Sequence, residues 1–262
     1  LLDSRANAIR REQNNGDDVM KTYGTLNIDQ KRVVDKVVAA ICDQQSIIRL
    51  IVSGQGGTGK SRVIDVLDRL ICGRYVGNSL PVIVAAPTGL SAFNINGTTV
   101  HRALCLPVEH GKPPNYSRLK EEQLSTLRAI LRDVKLMIVD EMSMVSSLTL
   151  LYMHLRLTEI MSNNDLFRES SVLLFEDLLQ LPPVKGNQPF VLVSYLEAKQ
   201  RLGSIAPLEL WPAFQYEELT INMRDTGDAE YASLLASVRV GQLSAEQYEQ
   251  LLTRLIGPHR RA

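Results

Sequence analysis

A chain of 262 residues can bury one large core or two modest ones. Its 45 % hydrophobic and 22 % charged residues are ordinary for a globular protein, and a formal net charge of zero means that any nucleic-acid site has to be a local patch. No apolar run reaches membrane-spanning length, the first residues lack the apolar core of a secretion signal, and three widely spaced cysteines without a C-x-x-C pair point to a reducing compartment and no structural zinc.

The chain opens on Leu1 rather than Met, so it reads as a piece of a longer protein. Residues 1 to 20 are polar, with a loop expected at Asn14-Asn15-Gly16-Asp17-Asp18. A helix is expected from Leu26-Asn27-Ile28 to about Ile41. Asn27 serves as its N-cap, and Val33, Val34, Val37, Val38 and Ile41 form its apolar face. Gln30 falls in the first turn. A lone glutamine there is ordinarily solvated surface, although its amide matches both the N6 donor and the N7 acceptor of adenine.

Ile47 to Ser53 reads as a buried strand running into Gly54-Gln55-Gly56-Gly57-Thr58-Gly59-Lys60-Ser61, which fits the phosphate-loop pattern G-x-x-x-x-G-K-[ST] at every fixed position. Glycines suit this segment because phosphate oxygens crowd the backbone and some positions need positive φ. Its N–H groups and the following helix N-terminus face an anion. Lys60 is expected on the β and γ phosphates and the Ser61 hydroxyl on Mg²⁺. The helix leaving the loop runs to about Cys72.

Pro81 to Ala86 is a second strand, leading through Pro87-Thr88-Gly89 into a short helix that carries Phe93, either a core residue or a contact. The turn Asn96-Gly97 precedes Thr98-Thr99-Val100-His101. Residues 106 to 118 read as a mobile loop and Leu119 to Leu131 as an amphipathic helix. Leu136 to Val139 is a third strand, with Asp140 and Glu141 at its carboxyl end, where parallel α/β sheets bind ligands. One carboxylate can hold Mg²⁺ through water while its neighbour orients or deprotonates an attacking water. After a helix over about 147–161, Ser171 to Phe175 is a fourth strand, and Gln180 follows it closely enough to reach a γ-phosphate. Pro182-Pro183 forbids helix there. Residues 208–211 and 218–221 look strand-like, and two helices over 228–238 and 244–256 join through Gly241. Together these elements give an α/β fold with a mostly parallel sheet flanked by helices.

Leu26-Asn27-x-x-Gln30, the Gly-Gly-Thr-Gly-Lys-Ser loop, Ala86-Pro87-Thr88-Gly89, Thr98-x-x-His101, Asp140-Glu141-Met142-Ser143-Met144-Val145 and Gln180-Leu181-Pro182-Pro183-Val184 stand in an order that resembles the PIF-type DNA helicases of superfamily 1. Asn222-Met223-Arg224 and Arg239-Val240-Gly241-Gln242-Leu243-Ser244 extend the match. The wording around Phe93 to Gly97 and Glu218 to Arg224 is most similar to helicases of Helitron-type rolling-circle transposons. The resemblance covers about residues 24 to 256. It implies a RecA-like phosphate-loop NTPase domain over 24–225, after a polar extension over 1–23 and before a helical segment over 226–262. It also implies an ATP-driven motor moving 5′→3′ on single-stranded DNA, in repair, recombination, telomere maintenance or transposition, inside the cell and, in a eukaryote, in the nucleus or mitochondrion.

By the same resemblance Gln30 contacts adenine, and Gly54, Gly56, Gly57, Thr58, Gly59, Lys60 and Ser61 hold phosphate. Ser61 and Asp140 hold Mg²⁺, Glu141 is the catalytic base, and Gln180 and Arg224 sense the γ-phosphate. Thr88, Gly89, Phe93 and His101 lie on the DNA strand, with Phe93 and Tyr116 as the nearby stacking rings; a hydrogen-bonded turn histidine is the other reading of His101. The chain departs from the family pattern at Glu176, where a glycine is usual and where a side chain could strain the turn or repel phosphate. It departs again at Phe167-Arg168-Glu169 in place of Phe-Gly-Gly. Such motors close ATP between two RecA-like domains, and only the first is recognisable here. The expectation is therefore a chain that binds nucleotide, hydrolyses it slowly and does not unwind DNA unaided. The alternatives are a nucleotide-dependent single-stranded DNA-binding module with little turnover, or another kind of phosphate-loop ATPase.

Overall fold

The computed structural model describes residues 16–75, 80–108, 114–161, 167, 171–184, 186–203, 208–223 and 229–253. Six strands, β1 (Arg49–Gly54), β2 (Val82–Ala86), β3 (Thr98–Thr99), β4 (Leu136–Val139), β5 (Ser171–Glu176) and β6 (Gln215–Leu219), form one sheet in the order β3-β2-β4-β5-β1-β6. Every pairing is parallel. Parallel sheets need cover on both faces, which is why β2 and β4 read as unbroken apolar runs and β5 is apolar between Ser171 and Glu176. Alternate residues serve the two layers. Leu50, Val52, Val84, Ile138, Leu173 and Phe175 join one core. Ile51, Ala85, Met137, Val139, Val172 and Leu174 join the other.

The first core is closed by α2 (Ile28–Val38) and α3 (Lys60–Arg74), through Val33, Val34 and Val37 and through Val63, Ile64, Leu67 and Ile71. Each such side chain contributes about 1.5–3 kcal/mol on burial. Ahead of them lies α1 (Gly16–Gly24), where the sequence led us to expect a loop. Asp17 and Asp18 in its first turn favour the positive helix end, and Asp18 pairs with Arg69 of α3 while Val19 is buried. At its far end α2 passes into a π-turn, Ala39–Asp43.

The second core is closed by α5 (Val100–Ala103), α6 (Glu121–Leu131) and α7 (Ser147–Met161); the short α4 (Gly89–Asn94) leads into that layer. Here the expected mobile loop needs correcting in its described part. Tyr116 N donates to Arg201 O at 2.9 Å, Tyr152 Oη to Pro114 O at 2.6 Å, and Arg156 Nη2 to Ser117 O at 3.0 Å. Arg156 is 1 % exposed in the middle of α7, pairs with Glu159 at 2.6 Å and lies under the Tyr116 ring at 5.0 Å. Glu159 in turn accepts from Tyr116 Oη at 2.8 Å and Leu119 N at 2.7 Å. Residues 114–119 are thus strapped to α7 by a buried ion pair.

Two further differences follow from competing local chemistry. Residues 208–211 do not make a strand; Pro212, which has no N–H, sits in a 3₁₀ turn at Trp211–Ala213, and the edge strand β6 begins only at Gln215. A helix that the sequence reading did not anticipate, α8 (Tyr195–Leu202), is capped by Ser194 Oγ accepting from Glu197 N at 3.2 Å. As expected, two C-terminal helices, α9 (Ala229–Val240) and α10 (Ala245–Leu252), are joined through Gly241, which adopts a left-handed conformation. Arg168 and Glu169 lie outside the described residues.

Candidate active site

The phosphate loop, Asp140, Glu141 and Gln180 gather at the carboxyl edge of the sheet, where β1, β4 and β5 end side by side. After β1, Gly57 and Gly59 adopt positive φ (97° and 81°), which bends the loop back so that α3 starts at Lys60. A Cβ on Gly54 would stand 2.5 Å from Thr58 Oγ1. The buried Thr58 hydroxyl donates to Gln55 O at 2.9 Å and ties the loop to itself. No side chain caps α3, so its first N–H groups are left to face an anion. Lys60 Nζ donates to Gly54 O at 2.5 Å and Gln55 O at 3.4 Å. A fully charged phosphate oxygen is a stronger acceptor than either carbonyl. Ser61 is exposed in the first turn.

Two outer segments brace the loop. Asn27 caps α2 as expected, and Gln30 completes a capping box: Gln30 N donates to Asn27 Oδ1 at 2.9 Å, and Asn27 N to Gln30 Oε1 at 3.0 Å. Gln30 is 1 % exposed rather than solvated, and its Nε2 donates to Thr58 O at 2.9 Å. As placed, it supports the loop and presents no open edge to a base. From the other side, Met223 N donates to Gly57 O at 2.9 Å and Asn222 Nδ2 to Gly56 O at 3.4 Å. Thr220 reaches Asp29 of α2 through both its N (2.9 Å) and Oγ1 (2.7 Å). Arg224, expected at the γ-phosphate, lies outside the described residues.

Asp140 follows β4 and is fixed by its own N–H donating to Ala85 O and by Glu141 N donating to its Oδ1, both at 2.9 Å. Burial pushes its carboxyl up to about 6; the Glu141 charge adds to this, while the Glu141 N–H and the Lys60 ammonium oppose it. Glu141 adopts a left-handed backbone (φ 54°), uncommon for a residue with a Cβ, which turns the chain into the 3₁₀ segment Met142–Met144. Its side chain is half-buried beside Asp140.

Beyond β5 the structure corrects one expectation. Glu176 is the last residue of the strand, paired in register with Ser53, and it does not have positive φ, so it strains no turn. Its carboxyl is 1 % exposed and Oε2 has no hydrogen-bond partner. Burial pushes it up, while a Ser53 hydrogen bond and the Lys60 and Arg239 charges pull the other way. Next to it Asp177 is wholly buried and accepts from Gln180 Nε2 at 2.9 Å. That amide nitrogen lies 3.8 Å from the point where a Cβ on Gly56 would sit, so Gln180 stands against the phosphate loop.

A third cluster lies at the same edge beyond β2 and β3, whose register sets Ala85 beside Thr98 and Ala86 beside Thr99. Thr88 caps α4, its hydroxyl accepting from Ser91 N at 3.1 Å and bonding Ser91 Oγ at 2.8 Å. Gly89 opens the helix, Phe93 is 79 % exposed on it, and His101 is half-buried in α5. Phe93 is therefore not a core residue. Tyr116 is not a stacking platform: it is turned inward onto Glu159 and Arg156, and burial, with the Glu159 bond, pushes its hydroxyl up.

Reading the sequence missed the Asp177–Arg239 and Arg156–Glu159 pairs and the Thr220–Asp29 clasp. Arg239 had been singled out within Arg239-Val240-Gly241, but nothing local says what it meets.

Comparison with known proteins now adds to this geometry. The family model for PIF1-like helicases matches residues 25–249. The ATP-dependent DNA helicase RRM3 of Saccharomyces cerevisiae is 26 % identical over 235 residues, covering 86 % of this chain and 31 % of RRM3. Human ATP-dependent DNA helicase PIF1 is 28 % identical over 219 residues, covering 80 % of this chain and 31 % of that protein. A solved structure concerned with DNA unwinding at forked dsDNA by two coordinating Pif1 helicases is 25 % identical, with a TM-score of 0.62, over 86 % of this chain and 51 % of that one. The chain thus spans about a third of the length of these curated relatives.

Proposed function

Because this chain belongs to the PIF1-like helicase family, we propose that it is an ATP-hydrolysing motor domain which acts on single-stranded DNA and contributes to 5′→3′ unwinding. The observation that carries this reading is the convergence of the phosphate loop, the Asp140–Glu141 pair and Gln180 on one edge of a parallel sheet. The relatives support it, since they are named ATP-dependent DNA helicases.

In this reading the N–H groups of Gly54 to Ser61 cradle the phosphates, and the Lys60 ammonium leaves Gly54 O for the β and γ oxygens. The donor set suits Mg²⁺. Among the described residues no three or more acidic, His or Cys side chains are grouped to hold a metal, and Mg²⁺ needs only one or two protein oxygens beside phosphate and water. Ser61 and Asp140 would supply them, and the cation would neutralise charge on the phosphates. Glu141 takes the proton of the attacking water as that water's oxygen bonds the γ-phosphorus and ADP leaves. Gln180 directs an amide proton at the γ-phosphate, and Arg224 adds its charge there. Gln30 braces the loop at Thr58, which sets where an adenine can lie. Thr88, Gly89, Phe93 and His101 meet the DNA strand, and closure against a second RecA-like domain links their movement to the nucleotide.

Phosphate release from ATP, with and without single-stranded DNA, tests this in the chain and in Lys60→Ala. DNA-stimulated release that Lys60→Ala abolishes is the expected result for a working motor. Tight ATP binding without release, lost in Lys60→Ala, would favour the nucleotide-dependent DNA-binding module. Nucleotide binding that is absent, or indifferent to Lys60→Ala, would overturn the reading.

A further inference from the structure

Asp177 and Glu176 are adjacent carboxylates, 0 % and 1 % exposed, at the end of β5. Burying two such groups side by side is costly unless a cation answers them. The cation is Arg239, which comes from α9, sixty-two positions along the chain. It meets Asp177 as a fork, Nη1 donating to Oδ2 and Nη2 pairing with Oδ1, each at 2.6 Å. Asp177 Oδ2 also accepts from Gln180 Nε2 at 2.9 Å, and Oδ1 from Leu179 N at 3.3 Å. Gln180 is itself exposed and lies outside any helix or strand, so its amide has no rigid element to orient it. An ionised carboxylate accepts only, which obliges the amide to turn its NH₂ inward, toward Gly56.

We propose that Arg239 is a positioning residue for the nucleotide site: its fork holds Asp177, Asp177 holds the Gln180 amide against the phosphate loop, and α9 is thereby tied to whatever occupies the γ-phosphate position. This rests on the nucleotide reading above and deepens it. It gives Arg239 a role at the site through Asp177, and it makes a distinction that general damage to the fold would not. ADP lacks the phosphate that Gln180 faces, so its affinity does not depend on the relay.

The test is equilibrium binding of ADP and of a non-hydrolysable ATP analogue to the chain, Arg239→Gln, Arg239→Lys, Gln180→Ala and Arg239→Gln/Gln180→Ala. The double variant Asp177→Asn/Arg239→Gln, which removes both halves of the ion pair together, guards against misfolding. Arg239→Gln should weaken the analogue about tenfold, as for loss of one charge-assisted hydrogen bond, and leave ADP within about twofold. Arg239→Lys, which keeps the charge but loses the fork, should fall between. Gln180→Ala should show the same loss, with no further loss when the two are combined. The Asn/Gln pair should keep ADP binding and lose the analogue preference. Equal weakening of both nucleotides, or losses that multiply in the Arg239/Gln180 double variant, would overturn the proposal alone. A chain that binds neither nucleotide, or binds both unchanged in Lys60→Ala, would overturn it together with the nucleotide reading.

Discussion

Gly59→Ala adds a single methyl group at the point where the phosphate loop meets helix α2. The backbone there has φ +81°, and the added Cβ would stand 2.4 Å from Gln30 Nε2. Holding alanine in a left-handed conformation costs about 1–2 kcal/mol. The clash is with the amide that bonds Thr58 O in a buried site, and losing that bond adds about 1–3 kcal/mol. The sum, about 2–5 kcal/mol, is a large part of the roughly 5–15 kcal/mol that holds a domain together. Urea unfolding should show it as a lower midpoint at unchanged slope. Gly56→Ala is the matched control, three positions away in the same loop. Its φ is not positive, and its Cβ would meet nothing closer than Gln180 Nε2 at 3.8 Å, so its cost should stay under about 1 kcal/mol. In a Gln30→Ala background the clash disappears, and Gly59→Ala should cost only the backbone share of about 1–2 kcal/mol. Equal midpoints for Gly56→Ala and Gly59→Ala, or an undiminished cost in the Gln30→Ala background, would refute the account of how α2 braces the loop.

Other consequences can be checked with the same protein. Burial holds His154 down to about 4, so between about pH 4 and 6.5 the unfolded chain takes a proton that the folded chain refuses, and stability rises with pH by about 3 kcal/mol. Asp140, pushed up to about 6, works the other way: the folded state keeps a proton that the unfolded state releases, and stability falls by about 3 kcal/mol as pH climbs from about 4 to 6. These slopes oppose each other in the wild type, so relative to it the change in unfolding midpoint from pH 4.5 to 7 should shift upward in Asp140→Asn and downward in His154→Asn; unchanged slopes would contradict both assignments. Arg156→Ala leaves Glu159 buried without its cation and should cost about 3–5 kcal/mol, with limited proteolysis opening residues 114–119 first. Phe93→Ala should weaken single-stranded DNA binding by about 1–3 kcal/mol, as for one lost stacking partner, whereas Tyr116→Phe should leave it unchanged because that ring faces Arg156.

What could be read from the residues, and what could not, divides by sequence distance. The phosphate loop, the strands entering it and the Asp140–Glu141 pair are local patterns, so residue type and spacing were enough. Asn27 as an N-cap is equally local, and Asn27-x-x-Gln30 carries the spacing of a capping box, although glutamine's usual solvation pointed to the surface. Tertiary partners were not legible. Arg156 looks misplaced in the apolar run of α7 until Glu159, Cys105 O and Ser117 O are seen around it. Tyr116 followed loop composition to the surface, whereas a carboxylate on α7 draws it inward. At 208–211 the apolar alternation suggested a strand, and the proline just beyond it decided otherwise. Glu176 was judged by the glycine usual at its position, and only the register with Ser53 shows it to be an extended strand residue.

The strand order also sets a timetable for synthesis. Strand β1 is the first made, yet it lies between β5 and β6, with Leu50 beside both Leu173 and Gln215. A ribosome adding about 5–20 residues per second needs on the order of ten seconds or more to travel from the phosphate loop to the segment that clasps it. For the first part of that time, until β5 is made, the nascent chain holds a complete Gly54–Ser61 motif on a strand with neither neighbour, and Leu50, Ile51 and Val52 are open to any holdase that recognises apolar strands. A chain cut short before Gln215 would therefore keep every residue of the loop, its Gln30 brace and its β5 neighbour, and still lack the β6 edge and the Met223 clasp.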